Sequence, residues 1–494
     1  MPRRRALTIF CTLLAPALAL HCGRFSGSTG SDTADASSDA SPSPLDGNGG
    51  EDSAPKPNAP DAGVTFQWAT LLLPVATAES ATPATFAKGI VKLGGTNGQL
   101  VVSGTFEGTL PGSPPQISNE TDVLYWYLDQ TGATKKVDVD VQPEAQTGGA
   151  VIASEEQGLF ALSFLGPDQK AHVSFAKPPE AFGAPLALAD TRKSGHLARG
   201  KGNRLVYAGN KENGDLFLGW VEPGKAELEG FGPVAVQASS RLGTSFALAG
   251  SAKDGSLDIM SCGVAPSPHK QFLVALGVGE LLGDKPQSQC TFRSIITGFN
   301  VTVDVITELP NSAAADDDGG LLVVGRAEGN FHYLLGDASL DSTNAKPSAA
   351  NVKTIDAGSD GSIFLLKVRK DGAFDDVRLI PRKFNSADSQ VTAATARPDG
   401  RVVLVGTLGA SVDFGGGALP HVGNADGFVA LLNRDLTHRW STSFGDKRNQ
   451  FVHAVAADEN AIYVTGETDG ALGLGTAVSP NNFMSAFVAK FTAP

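Results

Sequence analysis

Two histidines are the first candidates for chemistry in this chain of 494 residues. His196 and His453 each precede, by 13 positions, a glycine that ends a short apolar run, Gly209 or Gly466. An imidazole can bind a ligand, coordinate a metal or exchange a proton near neutral pH. Equivalent positions in different repeats can converge on one axis, so the pair is a candidate ligand-binding site.

In two other repeats the residue 13 positions before the glycine is apolar. The glycines Gly104 and Gly406 end similar runs, and 13 positions before them lie Val91 and Ala393. Neither side chain can bind a polar ligand. Histidines with a purely structural role therefore remain the alternative.

Three consecutive carboxylates form a candidate cation site. Asp316, Asp317 and Asp318 lie in a turn before Gly319 and Gly320, and oxygen-rich turns can hold Ca²⁺. The spacing differs from that of an EF-hand loop, and other acidic turns of the chain lack such a cluster. A solvated acidic turn is the alternative, and no other cofactor is predicted.

The cysteines allow one disulfide in the folded part of the chain. Cys11 and Cys22 lie near the N-terminus, which leaves Cys262 and Cys290 for the rest of the chain. In an oxidising compartment one remaining pair is most simply a disulfide. Two buried free thiols are the alternative.

The N-terminus has the order of an export signal. Three arginines precede an apolar stretch that is too short to span a bilayer, and Leu18–Cys22 is similar to the lipobox of bacterial lipoproteins, with His21 in place of the usual small residue. Residues 1–22 are therefore predicted to be a signal peptide with lipidation at Cys22. Cleavage nearby without lipidation and an uncleaved anchor are the alternatives.

Composition separates a tether from a folded body. Residues 23–63 consist mainly of Ser, Asp, Gly, Pro and Ala, a composition that cannot bury enough apolar surface to fold. Residues 64–494 are predicted to form one domain. The formal charge of −13 and the lack of a basic cluster argue against a nucleic-acid partner.

A repeat decides the fold class. Apolar runs that end in glycine recur at Gly104, Gly209, Gly250, Gly325, Gly406 and Gly466, with a further copy at 156–164, which gives about seven units. Each unit can be read as four short antiparallel strands. The pattern predicts an all-β protein, a β-propeller of about seven four-stranded blades, with six or eight blades as alternatives.

The two ends of the chain are predicted to share one blade. The last unit lacks its fourth strand, and Val64–Leu73 matches the fourth-strand pattern, with Phe66–Thr70 (FQWAT) beside His438–Thr442 (HRWST). Pairing of this N-terminal strand with the C-terminal blade would close the ring and remove exposed sheet edges.

The residues 426–446 (DGFVALLNRDLTHRWSTSFGD), followed by VAADENAIYVTG, resemble the seven-bladed β-propeller repeat of bacterial secreted and surface lipoproteins. The resemblance is clearest from about Ser389 onward and weakest between about 93 and 300. It implies a propeller fold and an exported setting. It implies no catalytic residues, since the matching positions build blades.

These observations predict a lipid-anchored β-propeller, periplasmic or on the cell surface, that binds a protein or glycan as a monomer. Enzyme motifs are missing from the sequence: it has no G-x-S-x-G elbow, no H-E-x-x-H helix and no phosphate-binding loop. The alternative function is a polysaccharide hydrolase or lyase with its site at the channel mouth. Several carboxylates converging with His196 or His453 would favour that alternative.

Overall fold

The computed structural model describes 22 segments of the chain and the side chains of most of their residues. The described residues are 63–75, 83–93, 98–111, 116–140, 146–154, 159–166, 168, 170–176, 183, 185–188, 196–199, 205–210, 216–221, 247–250, 257–260, 272–279, 291–309, 320–335, 352–369, 374–382, 389–474 and 483–493. Every regular element within them is a β-strand. The predicted all-β class is therefore confirmed. These segments contain no helix long and apolar enough to cross a bilayer.

The described strands form six sheets, numbered here in chain order of their first strands, with the sheet that contains β1 (Thr65–Leu72) taken as the sixth. The first, second, fifth and sixth have four antiparallel strands each. The first sheet contains β2 (Ala84–Lys92), β3 (Leu100–Leu110), β4 (Gln116–Leu128) and β5 (Thr134–Asp140). The second contains β6 (Thr147–Ser154), β7 (Leu159–Leu165), β8 (Ala171–Ala176) and β9 (Leu186–Ala187). The fifth contains β21 (Gln390–Ala396), β22 (Val402–Leu408), β23 (Asp426–Leu432) and β24 (His438–Phe444). The sixth contains β25 (Gln450–Ala457), β26 (Ala461–Thr468), β27 (Ser485–Thr492) and β1 (Thr65–Leu72).

Two sheets differ from this pattern. The third has three described strands, β10 (His196–Arg199), β11 (Leu205–Asn210) and β12 (Leu216–Val221). The fourth has eight, namely β13 (Ala247–Gly250), β14 (Leu257–Met260), β15 (Phe272–Gly279), β16 (Thr291–Leu309), β17 (Gly320–Leu335), β18 (Val352–Asp356), β19 (Ser362–Arg369) and β20 (Phe374–Pro381).

The eight-stranded sheet arises from one long hairpin. The first half of β16 pairs with β15, and β17 pairs along most of the length of β16. The first half of β17 also pairs with β19, and its second half with β18. The hairpin therefore pairs with β15 on one side and with β18 and β19 on the other. It joins into one sheet the repeat units of Gly250 and Gly325, which the sequence predicted to be separate.

The core lies between sheets that pack face to face. One apolar cluster contains buried residues of the first and second sheets, and another joins the second to the third. Three more join the fourth to the fifth, the fifth to the sixth, and the sixth to the first. Strands β22 and β23 are buried at every position because they have a neighbouring sheet on each face.

Strand β1 completes the sixth sheet although it comes first in the chain. It pairs antiparallel with β27, as the sequence predicted. The Trp68 indole donates a hydrogen bond to the carbonyl of Gln130 at 3.1 Å, and the Thr70 hydroxyl donates to that of Gly132 at 2.7 Å. Both acceptors lie in the turn between β4 and β5. Strand β1 thus joins the last sheet to the first.

One repeat alignment was wrong. The sequence grouped the run that ends at Gly250 with the other glycine-ended runs, most of which form the second strand of their sheets. However, β13 is an edge strand that pairs only with β14 among the described strands. The residues of β13 fit either position, because a short apolar run carries no information on how many neighbours it has. The other aligned runs form second strands, or, for Gly325, the first half of β17.

We expect Trp68→Ala to lower the unfolding free energy by about 2 to 3 kcal/mol, because a partly buried indole and its hydrogen bond are lost. Trp68 also packs against Tyr463, with ring centroids 6.5 Å apart. Urea unfolding of the full-length chain measures the change. Gln67→Ala is the control, since Gln67 is an exposed residue of the same strand. Equal effects of the two substitutions would contradict a structural role for β1.

Candidate functional site

A β-bulge occurs at one position in the first strand of three sheets. The register shifts between Ala87 and Gly89 in β2, between Val391 and Ala393 in β21, and between Val452 and Ala454 in β25. The extra residue of each bulge lies between the two named positions. These bulge residues are Lys88, Thr392 and His453.

The glycine that ends each repeat run lies opposite its bulge. Gly104 pairs with Ala87, and Gly466 pairs with Val452. A Cβ on such a glycine would overlap the carbonyl oxygen of the residue two positions before the bulge residue. The overlapping pairs are Gly104 with Phe86, Gly406 with Gln390, and Gly466 with Phe451. The repeated glycine therefore permits close approach of two backbones.

We call each such glycine and its opposing bulge residue a glycine–bulge unit. In the fourth sheet the glycine is Gly325 and the residue skipped by the register is Asp304. The residue after the glycine then lies beside the bulge residue. Arg326 donates two hydrogen bonds to the Asp304 carboxylate, at 2.8 and 2.9 Å. The unit thus holds one polar residue from each of two adjacent strands in contact.

The units of the first and sixth sheets meet in one cluster, formed by Lys88, His453 and Glu467. The Lys88 ammonium lies 2.9 Å from Glu467 Oε2 and 3.1 Å from His453 Nε2. The same Nε2 lies 3.0 Å from Glu467 Oε1. The Glu467 side chain is 10% exposed, that of His453 25% and that of Lys88 36%. The cluster therefore combines a buried carboxylate with two accessible nitrogen groups.

One imidazole nitrogen cannot satisfy both neighbours in the same protonation state. If His453 Nε2 carries a proton, it donates to Glu467. If it does not, it accepts from the Lys88 ammonium. In either state Lys88 remains paired with Glu467, so the carboxylate keeps one cationic partner.

Burial and the hydrogen-bonding partners shift the pKa of Glu467 in opposite directions. Desolvation raises its pKa, since a buried carboxylate resists ionisation. The hydrogen bonds and charges of His453 and Lys88 outweigh that effect, and the net pKa lies below the ordinary glutamate value. Glu467 is accordingly ionised at neutral pH and serves as a hydrogen-bond acceptor.

Two aromatic rings flank the cluster. Phe86 precedes Lys88 by two positions, and its ring centroid lies 5.4 Å from the ammonium. Phe451 precedes His453 by two positions, and the two rings are nearly parallel with centroids 6.4 Å apart. Both phenylalanines are partly exposed. The site thus combines charged groups with two partly exposed aromatic rings, one near Lys88 and one near His453.

The structure places one of the two predicted histidines among polar side chains, and its ligand-binding role stays a prediction. His453 lies in a polar cluster, but Val91 and Ala393 are not its equivalents, because Lys88 and Thr392 occupy the bulge. The fixed offset failed because the first and second strands are joined by turns of different length. Lys88 and Glu467 were missed, since they are 379 positions apart and the packing of the sixth sheet against the first brings them together.

His196 differs from His453 in register. It lies opposite Ala208, one residue before the glycine, whereas His453 is the bulge residue itself. The structure describes the backbone of β10 and not the His196 side chain. A site shared by the two histidines therefore stays a prediction.

The remaining predicted site residues lie outside the described residues. These are Cys22, Cys262, Cys290, Asp316, Asp317 and Asp318. Lipidation, the disulfide and the calcium site accordingly stay predictions. Within the described segments, no group of three or more His, Cys, Asp or Glu residues is arranged to hold a metal ion.

We expect Gly466→Ala to destabilise the chain strongly, by about 2 kcal/mol or more, because the added methyl group overlaps the Phe451 carbonyl. Thermal unfolding of the full-length chain measures the effect. Gly183→Ala is the control, since a Cβ there would lie 3.5 Å from the nearest atom, the carbonyl oxygen of Phe175. An unchanged midpoint for Gly466→Ala would show that close approach is not the reason for the glycine.

Glu467→Gln is expected to change how stability depends on pH. A carboxyl whose pKa is lower in the folded state adds stability above its unfolded pKa of about 4.3, and this is lost as the pH falls through the folded value. The variant should therefore be less stable than the wild type at pH 7, with the difference shrinking below about pH 4.

Unfolding midpoints between pH 3 and pH 7 test this expectation, with Glu459→Gln as the control. Glu459 is an exposed carboxyl in the turn before β26. A difference between the wild type and Glu467→Gln that does not vary with pH would contradict the ionised pair.

No protein-family model matches the sequence, and no curated protein matches it either. Similar solved structures include the mitotic checkpoint complex, with 11% identity, a TM-score of 0.41, and coverage of 88% of this chain and 97% of that chain. The BP39L lectin from Burkholderia pseudomallei has 14% identity, a TM-score of 0.37, and coverage of 76% and 98%. An arginine-to-alanine mutant of AofleA from Arthrobotrys oligospora has 11% identity, a TM-score of 0.37, and coverage of 77% and 88%. At these scores the similarities carry no argument about fold or function.

Proposed function

We propose that this protein is an exported, lipid-anchored β-propeller of seven blades that acts as a binding module at the bacterial cell envelope. The proposed binding site is the Lys88–His453–Glu467 cluster. A half-exposed cluster of three polar groups, held by strands from the first and last sheets, is the observation that carries the binding function.

Contacts between first strands support seven blades. Strand β2 lies against β6, β6 against β10, β10 against β13 and β13 against β16. Strand β16 then lies against β21, β21 against β25, and β25 against β2. The order returns to its start after seven steps, as expected for strands around a central channel. In this arrangement the fourth sheet supplies two blades through its long hairpin.

The ring arrangement gives the glycine–bulge units a common location. Their bulge residues lie on the strands that surround the channel, so Lys88, Asp304, Thr392 and His453 face a shared space in this proposal. The β1–β27 pairing then closes the ring, because it joins the two ends of the chain within one blade.

A binding function explains the cluster better than hydrolysis does. Glycoside hydrolysis commonly requires two carboxyl groups about 5 to 10 Å apart on either side of the scissile bond. Among the described residues, Glu467 is the one carboxylate in contact with His453. Its two oxygens contact Lys88 and His453, and each oxygen can accept a further hydrogen bond. The carboxylate therefore suits a group that accepts hydrogen bonds from a ligand.

We propose the lipid anchor from the basic start, the short apolar stretch and Cys22. Cys22→Ser should move the protein from the membrane fraction to the soluble envelope or culture fraction, and it should abolish incorporation of labelled palmitate. Cys11→Ser is the matched control and should leave both properties unchanged. Retained palmitate in the Cys22→Ser variant would contradict the proposed anchor.

The binding function is tested with the full-length chain carrying Cys22→Ser, immobilised and exposed to glycan and protein fractions of the bacterial envelope. We expect one fraction to be retained, and a further Lys88→Met, Glu467→Gln double substitution to reduce retention at least tenfold. The double substitution removes one charge of each sign, so the net charge is kept. The matched control is the Lys136→Met, Asp138→Asn double substitution, which removes an ion pair of strand β5 and also keeps the net charge.

Two outcomes would contradict this proposal. The first is that neither fraction is retained by the wild-type cluster. The second is that the Lys88→Met, Glu467→Gln variant retains as much material as the Lys136→Met, Asp138→Asn control.

A further inference from the structure

We infer that the ligand of the Lys88–His453–Glu467 cluster is a neutral saccharide, that is, a polyhydroxylated ring without an ionised group. This inference rests on the binding function proposed above and names its substrate class. It follows from the charge of the cluster, from its unused hydrogen-bonding groups and from the two flanking rings.

The charge of the cluster disfavours an ionic ligand. The ammonium of Lys88 and the carboxylate of Glu467 are 2.9 Å apart and cancel each other. An anion would draw Lys88 away and leave a carboxylate that is 10% exposed without its cation. A cation would compete with Lys88 in the same way. An uncharged ligand leaves the ion pair of Lys88 with the buried Glu467 carboxylate intact.

The unused groups of the cluster match hydroxyl groups. The Lys88 ammonium has three N–H donors, and two neighbours are present, Glu467 and His453. His453 Nδ1 has no hydrogen-bond partner among the described residues. A carboxylate oxygen accepts more than one hydrogen bond. A ligand hydroxyl can donate to Glu467 and accept from Lys88 at the same time, which neither an ion nor an apolar group can do.

The aromatic rings suit the apolar faces of a sugar ring. Phe86 and Phe451 lie on neighbouring first strands, Phe86 near the Lys88 ammonium and Phe451 beside the His453 ring, and each is partly exposed. A pyranose presents C–H groups on its faces and hydroxyls at its edge. Aromatic rings pack against the former while polar groups bind the latter, a combination typical of small-ligand sites.

A protein partner is less well supported. Specific protein interfaces have a buried apolar centre, usually with aromatic anchors. The large hydrophobic residues that are well exposed in the described segments are Val75, Ile117 and Val422. Val75 and Ile117 both lie opposite Thr109, but two side chains form a smaller apolar surface than the centre of such an interface, and neither residue belongs to the cluster. We therefore argue for the saccharide and treat a protein ligand as an outcome of the test.

Saturation-transfer NMR on the full-length Cys22→Ser chain tests the inference. The probes are the methyl glycosides of glucose, galactose and mannose, with glucuronic acid and glucosamine as charged analogues of the same size. We expect at least one neutral glycoside to bind, and both charged analogues to bind at least tenfold more weakly. Phe451→Ala and Glu467→Gln should each weaken binding at least tenfold, and the Lys136→Met, Asp138→Asn double substitution on strand β5 should leave it unchanged.

The outcomes separate this inference from the proposed function. Equal or tighter binding of a charged analogue would overturn the neutral-saccharide class. So would cluster-dependent retention of envelope protein, or of envelope glycan that no neutral glycoside displaces, although the binding function would stand in both cases. If the envelope fractions are not retained and no probe binds, both the function and the inference fail.

Discussion

The close approach of two backbones at the repeat glycine is the constraint on which the rest of this structure depends. At Gly104, Gly406 and Gly466 there is no room for a Cβ, because the carbonyl of the strand opposite occupies that space. Each bulge adds one residue to the first strand opposite the glycine. The fold therefore requires the glycine and leaves the bulge residue free to vary, as Lys88, Thr392 and His453 do.

This constraint separates structural from functional positions within one repeat. The strands after the bulge carry apolar residues that are buried between neighbouring sheets, as in β22 and β23. The bulge residue and the residue after the glycine are polar in several sheets, and they pair as Asp304 with Arg326 and as His453 with Glu467. A scaffold of this kind can change its ligand through two positions per repeat while its core is preserved.

Much of the fold could be predicted from the sequence, because alternating apolar runs and turn residues are local signals. The sequence predicted the all-β class and the pairing of β1 with the C-terminal unit, which the structure has as β27. The long β16–β17 hairpin could not be predicted, since nothing in a strand pattern tells where one sheet ends and the next begins. For the same reason the sequence did not predict that β13 lies at the edge of its sheet.

The site was harder to predict than the fold. A bulge depends on register, and register depends on the length of the turn between two strands. His453 precedes Gly466 by 13 residues, whereas Lys88 precedes Gly104 by 16 and Thr392 precedes Gly406 by 14. An alignment at constant offset therefore found one histidine and missed its partners. Lys88 comes from the first sheet and Glu467 from the sixth, so their contact depends on the packing of these two sheets against each other.

A double-mutant cycle between Lys88 and Glu467 tests this account most directly, because the pair exists only if the first and last sheets meet at the glycine–bulge units. Unfolding free energies of the wild type, Lys88→Met, Glu467→Gln and the double variant give the coupling energy of the pair. The account predicts a favourable coupling of about 1 kcal/mol, as expected for a partly buried ion pair in contact. A coupling energy of zero would contradict an energetically significant Lys88–Glu467 contact, and with it the proposed site.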